Sequence, residues 1–192
     1  MHSKIAKFIH NHNLVKHPFY HTNVDRQLKW IPFATVFLLD VFGLRTKSGW
    51  KKQLLITGAT EAIRYFIADN LKKITKERRP APYMGKHSFP SGHTSSSFAG
   101  AQFMHTELRN SIPVLSCVGY LGAMTTATIR LMKNRHWLMD VVAGAVVGMV
   151  SAKLADTIVH RLATKRQTKK KQSAQMNAQY DERFESAVNA EY

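Results

Sequence analysis

An uncharged stretch of 18 residues, 112–129, narrows the possible folds of this chain more than any other feature. A segment of this length without a charged side chain is typical of a helix that spans a bilayer or is buried in a larger bundle. The stretch 137–160 is also largely apolar, with Val-Val-Ala-Gly-Ala-Val-Val-Gly at its centre. We therefore expect the chain to fold around at least two long apolar helices.

Three further stretches, 30–44, 53–74 and 91–108, have the lengths of helices. In the second, apolar residues recur at steps of three and four, which is typical of a helix with one buried face. The sequence shows no convincing alternation of apolar and polar residues, so strands are not expected. These patterns predict an all-α fold, a bundle of about five core helices.

The two ends of the chain are polar and fall outside this bundle. Residues 1–28 are rich in histidine, and we interpret them as an N-terminal arm with a short amphipathic helix around 5–9. Residues 29–162 form the predicted helical domain. Residues 163–192 begin basic and end acidic, which indicates a solvated or disordered tail, with attachment to anionic lipid as the alternative.

The charge balance indicates an anionic partner. The chain has 28 Lys and Arg against 12 Asp and Glu, a formal charge of +16. Nucleic acid, anionic headgroups and phosphorylated substrates all fit such a balance. Nucleic-acid motifs and basic residues interleaved with aromatic ones are absent from the sequence, so a nucleic-acid partner is not expected. The single cysteine, Cys117, lies in an apolar stretch and is predicted to be a small core residue.

The apolar stretches favour a bundle embedded in a membrane. A soluble or peripherally attached bundle is the alternative, since the mean hydropathy is only −0.26. If the helices alternate in direction, the polar segments 72–80, 90–93 and 130–140 meet at one end. The other end then carries the basic residues at 45–52 and the start of the tail. By the positive-inside rule that end is cytoplasmic, which predicts that the three polar segments face outward.

The first two polar segments carry groups that bind anions. Lys72 and Arg79 are cations at the end of a predicted helix. In Pro-Ser-Gly-His at 90–93, proline and glycine fix a turn that enters the next helix. Backbone N–H groups at a helix start attract anions, Ser91 adds a hydroxyl, and His93 would lie at the rim of that site.

The third polar segment adds a candidate nucleophile. His136 and Asp140 are four residues apart and therefore share one face of a helix. A carboxylate that binds one ring nitrogen fixes the tautomer and leaves the other nitrogen free to attack. Such a pair alone is more often a surface contact, but here it accompanies Arg130 and the two anion-binding segments. The combination indicates phosphoryl transfer.

These residues together resemble the signature of the type 2 phosphatidic acid phosphatase superfamily, which includes bacterial acid phosphatases and vanadium haloperoxidases. The signature is a lysine, six residues and Arg-Pro; then Pro-Ser-Gly-His; then Ser-Arg, five residues, His, three residues and Asp. The matching residues are Lys72, Arg79, Pro80, Pro90, Ser91, Gly92, His93, Arg130, His136 and Asp140. One position departs, because Ile129 stands where the family has serine; Thr128 could replace that serine only if the helix rotates.

The resemblance implies a metal-independent lipid phosphatase that needs no cofactor and works through a phosphohistidine. His136 would attack phosphorus, Asp140 would orient it, and His93 would protonate the leaving group and then activate water. The phosphate-binding set implied by the resemblance is Lys72, Arg79, Ser91, Gly92 and Arg130.

The expected substrate is a phosphomonoester or diphosphate of a lipid. Length and helix order are most similar to small bacterial members of the family, which implies a bacterial inner membrane with the site facing the periplasm or exterior. One alternative is a haloperoxidase that holds vanadate in the same pocket. The other is a membrane protein that binds phospholipid without catalysis, which only Ile129 favours.

Overall fold

A computed structural model describes residues 4–5, 7–8, 11–12, 23–44, 46–80 and 85–190, without the side chains of 184, 185 and 187–190. The helix predicted around 5–9 falls partly outside these residues. All regular structure in the described part is helical, which confirms the all-α prediction. The chain divides into two units, residues 1–156 and 157–192, and each is described by itself.

Six helices follow one another between residues 23 and 190, and the predicted five correspond to the last five of them. Their bounds are α1 Val24–Leu28, α2 Ile31–Val41, α3 Trp50–Thr75, α4 Gly92–Leu108, α5 Pro113–Met132 and α6 Leu138–Ala190.

The last helix continues far beyond its predicted end near residue 160. It runs to Ala190, so the predicted tail is helical over the part that the structure describes. The segment is rich in alanine, glutamine, lysine and glutamate, which have high helix propensity, and a helix that is already formed needs no new nucleus to extend. The described side chains from 164 to 183 are exposed, as expected of a solvated segment.

The helix α4 forms the centre of the first unit, since 12 of its 17 residues are buried. Small residues let the neighbouring helices approach it closely. On α5, a Cβ at Gly119 would lie 3.1 Å from Cα of Ala101. On α6, a Cβ at Gly144 would lie 2.7 Å from the carbonyl oxygen of Ser91, and one at Gly148 would overlap the carbonyl oxygen of Ser95. The start of α4 and the start of α6 are therefore in backbone contact.

Two described helices, α5 and α6, are long and apolar enough to cross a membrane by length and composition. One face of α5 carries exposed apolar side chains at Val114, Val118 and Leu121. Cys117 lies on this same face and is exposed, so its prediction as a core residue is wrong. Composition alone does not separate an apolar residue that faces outward from one that faces the core, and α5 turns its Gly119 face toward α4.

Candidate active site

The three polar segments lie together at one end of the first unit. The N–H of Ser91 donates to the carbonyl oxygen of Asp140 at 2.9 Å, which joins the second segment to the third. The indole N–H of Trp137 donates to the carbonyl oxygen of Arg78 at 2.9 Å, which joins the third to the first. All ten residues of the signature therefore belong to one region, at the start of α4 and α6 and the ends of α3 and α5.

His136 and Asp140 are buried next to each other, with exposures of 4% and 1%. Nδ1 of His136 lies 3.5 Å from Oδ2 of Asp140. Ser88 connects them, because its hydroxyl donates to Oδ2 of Asp140 at 2.5 Å and lies 3.4 Å from Nδ1 of His136. These contacts are all on the Nδ1 side of the ring, so Nε2 is the nitrogen available for chemistry.

The carboxylate of Asp140 also caps α6. Trp137 precedes the helix, and its N–H donates to Oδ2 of Asp140 at 2.9 Å. An acidic side chain in the first turn satisfies an N–H that the helix leaves unpaired, and it interacts favourably with the helix dipole. The local sequence Trp-Leu-Met-Asp thus determines both where α6 begins and where the carboxylate lies.

Burial lowers the pKa of His136, and the interaction with Asp140 opposes this effect. The positive charges of Arg130 and Arg79 lower the pKa further, so that it lies below the ordinary value. A neutral imidazole is the nucleophilic form of histidine. The surroundings of His136 therefore keep it in the form that can attack.

His93 lies in the first turn of α4 and is partly buried. Burial lowers its pKa to about 4, and the positive charges of Arg130 and Lys29 add to the effect. An anion bound beside these cations would reverse that effect, because a nearby negative charge favours the protonated imidazole. The proton-donating capacity of His93 is thus tied to the presence of an anion.

Lys72 lies in the last turn of α3 beside the start of α4. Its ammonium is 3.4 Å from the position that a Cβ would take at Gly92. The absence of a side chain at Gly92 lets the ammonium lie against the backbone of the turn. The N–H groups of a helix start and a lysine ammonium are together a suitable phosphate site.

Arg79 follows the end of α3 and points toward the third segment. Its guanidinium donates to the carbonyl oxygen of Arg135 at 3.4 Å. Burial lowers the pKa of Arg79, as do the charges of Arg130 and Arg135, while Asp140 opposes them. This crowding of cations indicates a strongly positive potential, which an anionic substrate would relieve.

Arg130 and Lys133, at the end of α5, both bind one carboxylate. Nη1 of Arg130 is 2.7 Å from Oδ2 of Asp25, and Nζ of Lys133 is 2.7 Å from its Oδ1. The guanidinium of Arg130 therefore already has one anionic partner inside the protein.

Two residues of this region, Ser88 and Asp25, were not predicted. Ser88 is fully buried and lies in the loop before the Pro-Ser-Gly-His turn, where nothing in the local sequence distinguishes it from a loop serine. The sequence does distinguish Asp25, because it is the only acidic residue among residues 1–28. An isolated carboxylate in a basic segment is a candidate partner for cations elsewhere in the chain.

The position that departs from the family pattern is buried. Ile129 is 7% exposed, whereas Thr128 points outward and its hydroxyl donates to the carbonyl oxygen of Met124 at 3.0 Å. Thr128 therefore does not replace the missing serine.

Comparison with known proteins assigns the family. The model of the PAP2 superfamily matches residues 53–164, more than half of the chain. The chain belongs to the PAP2 superfamily. The match contains all ten signature residues and leaves α1 and α2 outside it.

Curated relatives match parts of the chain. Lipid A 1-phosphatase of Porphyromonas gingivalis is 32% identical over 136 residues, which cover 70% of this chain and 30% of that protein. Probable lipid phosphate phosphatase 4 of Arabidopsis thaliana is 35% identical over 98 residues, 45% of this chain and 29% of that protein. The chain thus spans about a third of the length of these relatives.

Two solved structures share the fold. LpxE of Aquifex aeolicus superposes with a TM-score of 0.57 at 18% identity, over 80% of this chain and 93% of that one. The transmembrane PAP2-type phosphatidylglycerolphosphate phosphatase of Bacillus subtilis superposes with a TM-score of 0.62 at 15% identity, over 82% and 85%. The helical arrangement described above is therefore that of the PAP2 fold.

Proposed function

We propose that this protein is a membrane-embedded lipid phosphatase that hydrolyses a phosphomonoester or diphosphate of a lipid. The observation that carries the proposal is the buried His136 with Asp140 and Ser88 on its Nδ1 side, next to a cluster of cations. The names of the curated relatives, which are lipid phosphatases, favour this function over the haloperoxidase and the non-catalytic alternatives.

In the first step, Nε2 of His136 attacks phosphorus. The N–P bond forms while the bond from phosphorus to the leaving oxygen breaks, and His93 gives its proton to that oxygen. The leaving oxygen belongs to an alkoxide in a phosphomonoester and to a lipid phosphate in a diphosphate. The ring of His136 becomes a cation on forming the bond, and Asp140 stabilises that charge. The charge on the phosphoryl oxygens is stabilised by the phosphate-binding set, Lys72, Arg79, Ser91, Gly92 and Arg130.

In the second step, water hydrolyses the phosphohistidine. His93, now neutral, takes a proton from the water as its oxygen attacks phosphorus, and the N–P bond breaks. Inorganic phosphate leaves and neutral His136 is restored. The pKa of about 4 for His93 in the free protein fits this second role, and a bound phosphate dianion raises the pKa for the first.

We further propose that the site faces the outside of a bacterial inner membrane. Two helices of sufficient length and the exposed apolar face of α5 support the membrane part. The basic residues at 45–52 and 161–171 support the orientation, because they belong to the opposite end of the predicted bundle. Modification of single introduced cysteines by a membrane-impermeant reagent in intact cells would test the orientation.

The mechanism is tested by replacing His136 with alanine. We expect phosphate release to fall by at least about a thousandfold, since the covalent step is lost. A matched control is His105→Ala, because His105 lies 12 residues from His93 on α4, about 18 Å along the helix. Retained turnover in His136→Ala, with failure to trap a phosphohistidine in the parent protein, would reject the nucleophile.

Metal independence and substrate need separate assays. We expect activity to survive EDTA, and a strong loss that added metal restores would contradict the metal-free mechanism. Phosphate release should then be compared across phosphatidate, phosphatidylglycerol phosphate, undecaprenyl diphosphate and lipid A. The preferred headgroup would identify the substrate class among these lipid phosphates.

A further inference from the structure

Asp25 lies on α1, outside the part of the chain that the PAP2 model matches. Its exposure is only 2%, although α1 is five residues long and mostly exposed. A carboxylate is rarely buried without paired cations, because the loss of hydration is costly. We therefore expect Asp25 to have a cationic partner that compensates for its lost hydration.

That partner is the last turn of α5. Arg130 and Lys133 are three residues apart on one face, and each binds a different oxygen of Asp25 at 2.7 Å. Burial raises the pKa of Asp25, but the hydrogen bonds from Lys133 and Arg130 outweigh burial and keep the pKa below its ordinary value. The carboxylate is thus charged at neutral pH and fixes the end of α5 to α1.

Asp25 accepts a hydrogen bond from only part of the Arg130 guanidinium. It binds Nη1, whereas Nε of Arg130 is buried and has no acceptor among the described residues. The Nε–H is enclosed by protein, so a phosphoryl oxygen reaches Arg130 only through the part of its side chain that stays exposed, 11% of its surface. Arg130 is connected to the segment that carries His136, because the N–H of Arg135 donates to the carbonyl oxygen of Arg130 at 3.2 Å.

We propose that Asp25 is a positioning residue, which holds Arg130 by Nη1 so that the exposed part of the guanidinium is directed to the phosphoryl group of the substrate. The inference rests on the proposed function and adds a residue outside the family signature to it. Without the carboxylate, the flexible arginine side chain would have to be ordered anew each time substrate binds, and phosphate affinity would fall.

The test is Asp25→Asn in the full-length protein, with inorganic phosphate as the probe. Its dissociation constant follows from the shift of the unfolding midpoint with phosphate concentration, so that no turnover is needed. We expect phosphate to bind about tenfold more weakly in Asp25→Asn, about 1.4 kcal/mol, and kcat/KM to fall at least as much. Asp25→Glu keeps the charge but displaces it, so its phosphate affinity should lie between those of the parent protein and Asp25→Asn.

The matched control is Asp156→Asn. Asp156 also pairs with a cation, Lys47 at 2.7 Å, but it lies 16 residues from Asp140 on α6, about 24 Å along the helix. We expect its phosphate affinity to equal that of the parent protein even if its unfolding midpoint falls. If Asp25 served stability alone, Asp25→Asn and Asp156→Asn would both have lower unfolding midpoints, and both would bind phosphate as the parent protein does.

Two outcomes would overturn the inference. Phosphate affinity in Asp25→Asn and Asp25→Glu equal to that of the parent protein would remove the positioning role, and tighter binding in these variants would instead make Asp25 a competitor of phosphate. If Asp25→Asn does not fold, Asp25→Glu decides by the same measurement. Failure of the proposed function is a separate result, since it appears as absent lipid-phosphate hydrolysis by the parent protein.

Discussion

The contact between Gly144 and the Pro-Ser-Gly-His turn gives the sharpest prediction of the structure. In Gly144→Ala the new Cβ would lie 2.7 Å from the carbonyl oxygen of Ser91, where ordinary contact begins at 3.4 Å. Because the contacted atom is backbone, no side-chain rotation relieves the overlap. The start of α6 must instead move away from α4 by about 0.7 Å, the difference between these two distances.

This displacement acts on both stability and catalysis. Overpacking of this kind costs about 1–3 kcal/mol, whereas alanine in place of a helical glycine gains only about 0.5–1 kcal/mol. The middle of these two ranges gives a net loss of roughly 1 kcal/mol of unfolding free energy. His136 and Asp140 move with α6 relative to His93 on α4, and a misplacement near 1 Å can cost about a hundredfold in rate. A fall in kcat of about tenfold to a hundredfold should follow.

The assay compares Gly144→Ala with Gly58→Ala by thermal unfolding in detergent and by steady-state phosphate release. Gly58 lies inside α3 with open space around its Cβ position, so the same substitution should raise the unfolding midpoint and leave kcat unchanged. If Gly144→Ala also raises the unfolding midpoint and leaves kcat unchanged, α4 and α6 are not in backbone contact at Gly144.

Two further predictions concern the reacting groups. Ser88→Ala removes the hydroxyl that binds Asp140 and lies beside His136, so kcat should fall about tenfold with little change in KM; an unchanged kcat would show that Ser88 does not orient the pair. The reacting complex needs one proton, carried either by His93 or by the phosphate of the substrate. The pH profile of kcat/KM should therefore be flat between about pH 4, the pKa of His93, and about pH 6, the second pKa of a phosphomonoester. Above pH 6 it should fall about tenfold per pH unit, and a maximum above pH 8 would contradict neutral His93 in the free protein.

The helical fold could be predicted because helix periodicity and uncharged length are properties of single segments. α5 was located to within a few residues from its uncharged stretch. The outward position of Cys117 could not be predicted in this way, since an apolar face looks the same whether it meets protein or lipid. The extension of α6 to Ala190 could not be predicted from polar composition, which fits a disordered segment as well as an exposed helix.

The candidate site shows a similar division. His136, Asp140 and the cations were predicted because their spacing is fixed within short segments, and the structure brings these segments together. Ser88 and Asp25 contribute through contacts with residues 48 to 108 positions away, which no local spacing records. Their roles depend on how loops and α1 pack, which is a tertiary property.

The bond from the N–H of Trp137 to Asp140 has a consequence for how this site can vary. One oxygen atom both begins α6 and lies beside the candidate nucleophile, so folding and catalysis constrain the same atom. Loss of the carboxylate would remove the acceptor of the Trp137 N–H, at a cost of about 0.5–2 kcal/mol, and the neighbour of His136 Nδ1 at the same time. A substitution of Asp140 is therefore expected to change the stability of the start of α6 and the orientation of His136 together.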